Sequence, residues 1–543
     1  PAPAGAATGA GAILGGDEAL SGVLPGPGRG IALADVSLEV PLGRRLLQAR
    51  AADSKKVLRG LSTSFVPGQL AAIVGPSGAG KTSLLSVLSG RIGDRTSGRC
   101  STTRRNAYCL TGDVLLDGQP AVRAELKRRV ALVAQHDHHL PGLTVEEALG
   151  FFARLRLPRL PAAERQARAS ALAKALGLDG CLHARIGSMV TGGISGGERR
   201  RLSVAMACLG DPAVLLLDEP TTGLDALAAQ QLICLLRTLV LRRGQATAAT
   251  IHQPRSDLLP SFDKVLLLGP GGRVLFEGAP RDVQRSLAAC GSPSPGRGNI
   301  LDFAMDLIAD PSWAAKLHGQ WSTRAEAEGR NSTARQPTPS SARCSAPCSS
   351  LTPCPWPTAM QVLMSRSFLN FRRQPSMIWA RCAQVLLWAV VVVPVYAPLG
   401  NSQASITSRI GLLHQTLGIL FAGTLNNLAV FPLERDVFLR ETRDGLYSTA
   451  PFFLVYCMFE LTIEGVVALI TSVIMVQSCG LESSVQPQVT FVAVLLASIF
   501  NGESVGIIFN SVVMSAGFSV NMINALCCVV QLTAGVMANS MPA

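Results

Sequence analysis

Three features are missing from this chain of 543 residues: zinc-finger spacing, an aromatic run of the RNA-binding kind, and a long Lys/Arg block. Nucleic acid is therefore not the expected partner, although Lys and Arg give a formal net charge of +13. An anionic cytoplasmic membrane leaflet suits that charge better, since it attracts basic residues near its surface. No C-x-x-C pair occurs among the 14 cysteines. Cys344, Cys348 and Cys354 cluster, but without a neighbouring His they make poor zinc ligands. The cysteines read as reduced thiols of an intracellular protein. Residues 1–30 are rich in Ala, Gly and Pro and lack the basic-then-apolar order of a secretion signal. They read as a flexible lead-in. The chain begins with Pro1, so its N-terminus is expected to be incomplete or processed.

What the chain does have is length for two or three domains and a 48% apolar composition, high for a wholly soluble protein. The apolar run Leu70–Val74 leads into Gly75-Pro76-Ser77-Gly78-Ala79-Gly80-Lys81-Thr82, then Ser83 to Leu88 in a helical pattern. Strand, glycine-rich turn and helix start are the order a nucleotide triphosphate site needs. The glycines let backbone N–H groups close around phosphate oxygens, and the helix offers its positive end to the same anion. Lys81 is the candidate contact to the outer phosphates, and the Thr82 hydroxyl a candidate Mg2+ ligand.

From Ile31 to about Pro280, short apolar strands alternate with helical stretches, an α/β pattern. Val130–Ala134 and Ala213–Leu217 have few polar positions and are expected to be central strands; Lys264–Leu268 is a third strand. Asp218 and Glu219 close the second of these. Asp218 is expected to support Mg2+ and Glu219 to orient the water that attacks the γ-phosphate. Ser195-Gly196-Gly197-Glu198 marks a helix start, a second anion-binding surface about twenty residues earlier. Gln135 ends a strand where its amide can reach the metal and a neighbouring domain. His252 is placed to sense the γ-phosphate, and Asp225 to bridge two copies of the domain.

Beyond Pro280 the pattern changes. Residues 310–358 are dominated by Ser, Thr, Pro, Arg and Cys and read as a linker, disordered in part. Candidate membrane spans follow at Met377–Ala397, Gly411–Phe431, Phe452–Ser478, Val489–Met514 and Ser519–Ala538. Arg366, Arg372, Arg373 and Arg381 precede or open the first span; Arg435, Arg440 and Arg443 lie between the second and third. The positive-inside rule puts these segments, and the ATP-binding part, in the cytosol. Glu460, Glu464 and Glu503 fall inside spans. They are candidate pathway residues, with interhelical packing as the alternative, and Asn501-Gly502 is expected to break the helix locally.

The ordered set of phosphate loop, Gln135, Ser-Gly-Gly signature, acid-tipped strand, Asp225 and His252 resembles the ATP-binding cassette (ABC) ATPases over residues 31–280. The resemblance implies Mg·ATP between two cassettes, the phosphate loop of one facing the Ser-Gly-Gly of the other. This chain has a single cassette, so a second half-transporter, identical or different, is implied. Cassette first and membrane domain second resembles the G subfamily, the White-type half-transporters. Ile194-Ser-Gly-Gly-Glu-Arg-Arg200 and Thr250-Ile-His-Gln-Pro-Arg-Ser256 fit that subfamily. Pro432–Glu441 resembles its cytosolic loop, expected to touch the cassette, a solvated charged turn being the alternative.

The expected fold is an α/β P-loop cassette followed by an all-α membrane domain. Its divisions are a lead-in (1–30), cassette (31–282), connecting segment and linker (283–358) and an incomplete membrane domain of about five helices (359–543). The implied activity is ATP-driven export of a lipid-like or amphipathic molecule. The alternatives are a non-transporting subunit that pairs with a full-length partner, a soluble cassette ATPase, and an ATP-gated channel. Residues 1–64 hold no Phe, Tyr or Trp to stack on adenine, leaving aliphatic contacts such as Val57. The stretch Ser97–Asn106 enlarges the loop after the phosphate-loop helix.

Overall fold

The computed structural model describes residues 30–41, 54–92, 108–188, 192–252, 257–292, 299–327, 353–400, 402–403, 405–417, 420–481, 484–512, 521–522 and 525. The chain divides into two compact units. The first holds residues 1–137, 144–354 and 443–446; the second holds 138–143, 355–442 and 447–543.

In the first unit, the β-rich strands β1 (Ile31–Pro41) and β2 (Ser54–Phe65) pair antiparallel. With β4 (Cys109–Leu116) and β5 (Gln119–Pro120), they form a four-stranded sheet of order β2-β1-β4-β5. The second sheet has six strands. These are β3 (Leu70–Val74), β6 (Val130–Val133), β9 (Val214–Leu217), β10 (Ala246–Ile251), β11 (Lys264–Gly269) and β12 (Arg273–Gly278). Their order is β12-β11-β3-β10-β9-β6, parallel except for the edge strand β12. Strands β3, β9 and β10 are buried at every position, as central parallel strands must be. A short hairpin, β7 (Gly187–Ser188) with β8 (Gly192–Gly193), stands apart.

The helices of this unit include α1 (Lys81–Leu88), α2 (Arg123–Arg129), α3 (Val145–Arg156), α4 (Ala162–Ala175), α5 (Gly196–Cys208) and α6 (Ala226–Arg243). One apolar cluster joins both sheets: Leu38, Leu58, Ile73, Leu84, Leu88, Leu216 and Leu266 all belong to it. It clamps α1, and with it the phosphate loop, from below. Leu84 is fully buried there. Leu84→Ala is expected to lower unfolding stability by about 2–5 kcal/mol, read by urea denaturation.

Two expectations need correction here. Val130–Val133 is a sheet edge, not a centre, and its middle residues are only half-buried. Its apolar run reflects cover from neighbouring helices on its faces. The linker expected over 310–358 begins too early, because α9 (Pro311–Ala327) is helical; the connecting segment before it holds α7 (Val283–Ala289) and α8 (Ile300–Ala309). Helix α9 packs on β12, where His318 Nδ1 lies 3.0 Å from the Val274 carbonyl. Tertiary packing, not periodicity, holds it. Residues 328–352 and the Ser97–Asn106 stretch lie outside the described residues.

The second unit is helical: α10 (Trp356–Arg372), α11 (Pro375–Tyr396), α12 (Ser405–Leu417), α13 (Leu420–Arg443), α14 (Thr449–Cys479) and α15 (Val485–Val512). Among the described residues, three stretches are long and apolar enough to cross a membrane: Trp379–Tyr396, Thr449–Cys479 and Val485–Ser511. The expected span Gly411–Phe431 includes residues 418 and 419, outside the described set; its described parts are helical, in α12 and α13, and α13 runs on through the charged residues Glu434 to Arg443. Ser519–Ala538 falls almost wholly outside the described residues.

Pro432–Glu441 is thus helix, not loop, and it lies in the second unit; residues 443–446 belong to the first. There Arg91 pairs with Asp444, and Arg156 Nη1 donates to the Asp444 carbonyl at 3.3 Å. Nor does α15 break at Asn501-Gly502: its ladder is continuous, and Thr424 donates to the Gly502 carbonyl at 3.0 Å. The glycines serve close packing. A Cβ on Gly423 would meet the Ile499 carbonyl at 2.3 Å, and one on Gly506 would meet Asn427 at 2.9 Å.

In the same unit Arg366 Nη1 donates to Glu441 Oε1 at 2.6 Å, and the Tyr447 hydroxyl donates to Glu441 Oε2 at 2.5 Å, all three buried. Removing one partner strands a buried charge. Glu441→Ala is expected to destabilise this unit by about 3–5 kcal/mol, seen as a lower melting temperature of detergent-purified protein.

Candidate nucleotide site

Gly75 ends β3 where a side chain is excluded: a Cβ would lie 2.5 Å from the Leu268 carbonyl. Gly78 and Gly80 have φ of 80° and 92°, the left-handed region that glycine occupies without strain. These residues, with Pro76, Ser77 and Ala79, turn the chain into α1. Lys81 is 7% exposed, and its Nζ donates to the carbonyls of Gly75 at 2.7 Å and Pro76 at 3.1 Å. Burial lowers the Lys81 pKa, and the nearby Glu219 and Asp218 carboxylates oppose that shift. Ser83 follows in the first turn of α1. Val57 stands beside the loop, its Cγ1 3.3 Å from where a Gly80 Cβ would be.

Strand β9 delivers the acids. Thr82 Oγ1 donates to Asp218 Oδ1 at 3.2 Å, and Thr250 Oγ1, from the adjacent β10, donates to the same oxygen at 2.8 Å. Glu219 has φ of 44°, a left-handed conformation that costs a residue with a side chain about 1 kcal/mol. Its N–H donates to Thr250 Oγ1 at 2.8 Å, which helps to hold that turn. The Glu219 carboxylate accepts from Gln135 Nε2 at 2.8 Å and from Thr222 Oγ1 at 3.1 Å. The Thr82 hydroxyl and the Asp218 carboxylate, 3.2 Å apart, are oxygen donors of the kind Mg2+ takes, and the Gln135 side chain, which donates to Glu219 through Nε2, carries a further amide oxygen. The residues present therefore fit that ion.

Arg200, 3% exposed, was not singled out from the sequence. From α5 its guanidinium donates to the Asp218 carbonyl at 2.6 Å, the Gln135 carbonyl at 3.3 Å and Asp137 Oδ1 at 3.1 Å. It thereby ties the tips of β6 and β9 together. Its position in the triple Arg run after the signature was the signal available. Arg200→Ala is expected to cut ATP turnover more than ATP binding, because it loosens the Gln135–Glu219 pair; rates and affinity measured on one preparation check this.

Ser195 caps α5. Its Oγ accepts from the Glu198 N–H at 3.2 Å, and Glu198 Oε2 accepts from the Ser195 N–H at 2.8 Å, a reciprocal capping box. The bond from that N–H, first among the causes, holds the Glu198 carboxyl below its usual pKa. Ser195 and Gly196 are exposed. A Cβ added to Gly196 would lie 3.8 Å from Leu224 Cδ2, and one added to Gly197 3.3 Å from Ala228 Cβ. The signature therefore sits beside the turn of Asp225. That residue is exposed and caps α6, its Oδ1 accepting from the Ala228 N–H at 2.8 Å. His252 follows β10 and is exposed; residues 253–256 lie outside the described set.

Comparison with known proteins accords with this arrangement. The family described as ABC transporter matches residues 58–222, and the ABC-2 type transporter family matches residues 358–543. ATP-binding cassette sub-family G member 5 of Homo sapiens is 31% identical over 501 residues, 90% of this chain and 74% of that protein. ABC transporter G family member 6 of Arabidopsis thaliana is 30% identical, covering 83% of this chain and 64% of its own length. A Saccharomyces cerevisiae ABC transporter ATP-binding protein/permease is 33% identical, and this chain spans 38% of its length. With an N-terminal ATP-binding cassette facing the cytosol and apolar helices after it, this is a membrane protein, and the chain belongs to the G subfamily of ABC transporters.

Proposed function

We propose that this chain hydrolyses ATP to ADP and phosphate and uses the cycle to export a lipid-like or amphipathic molecule, working as one half of a dimer. The observation that carries the reading is the Glu219 carboxylate. It is held by Gln135 and Thr222 at the tip of β9, beside the Thr82–Asp218 pair and the phosphate loop.

In this reading residues 31–282 are the cassette and 359–543 the membrane domain. The backbone of Gly75 to Thr82 and Ser83 binds the phosphates, and Lys81 leaves its carbonyl partners for the outer phosphates. Thr82, Asp218 and Gln135 would hold Mg2+, which when bound neutralises phosphate charge. Glu219 accepts a hydrogen bond from the attacking water and orients it. His252 reports the γ-phosphate. Ser195, Gly196, Gly197 and Glu198 meet the nucleotide of a second cassette, and Asp225 lies at the same face. The exposure of Ser195, Gly196 and Asp225, side by side, supports a face that a partner covers.

Closure on ATP drives the membrane helices only through different affinity for their two arrangements. Phosphate release measured against protein concentration tests the dimer. The specific rate should rise as monomer associates and respond to a panel of lipids. A strict monomer hydrolysing at the full rate would overturn the reading.

A further inference from the structure

We propose that Glu460, Glu464 and Glu503 form a binding site for a hard divalent cation between α14 and α15. The proposal goes beyond the ATP site and does not depend on it. Glu460 and Glu464 lie one turn apart on α14, so they share a helix face. They are 5% and 1% exposed. Arg381 of α11 grips Glu460 with both terminal nitrogens, Nη2 to Oε1 at 3.0 Å, and its Nη1 lies 3.6 Å from Glu464 Oε1. One guanidinium thus serves two carboxylates.

Glu503 arrives from α15 and is 3% exposed. Among the described residues, its Oε1 is buried without a hydrogen-bond partner. One carboxylate oxygen from each of the three acids lies within 4.8 Å of the others. Oxygens bound to a Ca2+-sized ion at about 2.3–2.6 Å sit at most about 5 Å apart across it. The cluster therefore fits such an ion without rearrangement of its helices.

Charge makes the same demand. Fully ionised, three carboxylates and one guanidinium would leave two negative charges among helices long and apolar enough to cross hydrocarbon, an expensive arrangement. A divalent cation cancels them. Carboxylates are also the donors that hard cations prefer over zinc or copper. The ion would bridge α14 to α15, while Arg381 holds α11 to α14. The binding state of the cluster would then set how firmly the three helices are joined.

The test uses full-length protein in detergent, stripped with chelator and free of nucleotide, with Ca2+ as probe. Wild type should bind about one radiolabelled Ca2+ per chain, and its melting temperature should rise with Ca2+. Glu503→Gln and Glu464→Gln should each weaken Ca2+ binding about tenfold or more. Glu503→Gln also removes a repelling charge, so it should fold. Without metal it should melt at or above wild type; with Ca2+ the order should reverse. Glu503→Asp, which keeps the charge, should retain weakened binding.

No Ca2+ bound by wild type would overturn the proposal, as would Glu503→Gln binding it as wild type does. So would stabilisation of wild type by acidification alone, with no response to Ca2+; the carboxylates would then hold protons instead.

Discussion

Glu219→Gln is expected to lower ATP turnover by about 10²–10⁴-fold while leaving ATP binding intact. The substitution conserves shape. Its amide oxygen still accepts from Gln135 and Thr222, which hold the native carboxylate at 2.8 and 3.1 Å. What is lost is the charge that draws a water proton. The Thr82–Asp218–Thr250 set is untouched, so the nucleotide-binding groups persist. Phosphate release, a fluorescent nucleotide titration and a melt on one preparation separate the outcomes. Turnover at the wild-type rate would remove Glu219 from the water-positioning role.

A companion variant exploits the backbone. Glu219→Gly abolishes the carboxylate but relieves φ of 44°, so it should be equally inactive while melting no lower than wild type. Strain at this one position would then be visible as a trade of stability for activity.

Much of this site was legible in the sequence because its parts are local. Eight residues from Gly75 to Thr82 carry the loop, and β9 ends in its two acids. Capping at Ser195 follows from a Ser three residues before Glu198. What escaped notice depends on distant pairing. Arg200 reaches Asp137 across 63 residues and Thr250 reaches Asp218 across 32, and no local pattern announces either.

Strand order is a property of crossovers, so the apolar run Val130–Val133 gave no hint that it forms an edge. Helix α9 was missed because its own residues are weakly amphipathic and β12 supplies its support. In the membrane unit, apolar length identified the first, third and fourth spans. The expected span Gly411–Phe431 includes residues 418 and 419, outside the described set, and its later part, α13, passes from apolar to charged residues without a break. The grip of Arg381 on Glu460 was equally hidden, joining residues 79 apart.

Lys81→Ala is expected to weaken ATP binding by about 10–100-fold, the loss of a charge-assisted contact to phosphate. The native lysine is buried against two carbonyls of its own loop, at 2.7 and 3.1 Å. An ammonium there has already lost most of its water, so little further desolvation opposes its transfer to an anionic ligand. Alanine leaves the two carbonyls short of a donor but also removes the buried charge. Those effects oppose each other, and nucleotide-free stability should move little compared with the affinity.

The pH response has a definite sign. Burial lowers the Lys81 pKa despite Glu219 and Asp218, so its charge is lost earlier than that of an ordinary lysine as pH rises. ATP affinity of wild type should therefore fall with increasing alkalinity before exposed lysines titrate. The Lys81→Ala variant should lack that step, having no group there to deprotonate. Titrations of both proteins across the alkaline range decide the matter. Parallel pH profiles would show that the affinity is governed by some group other than Lys81.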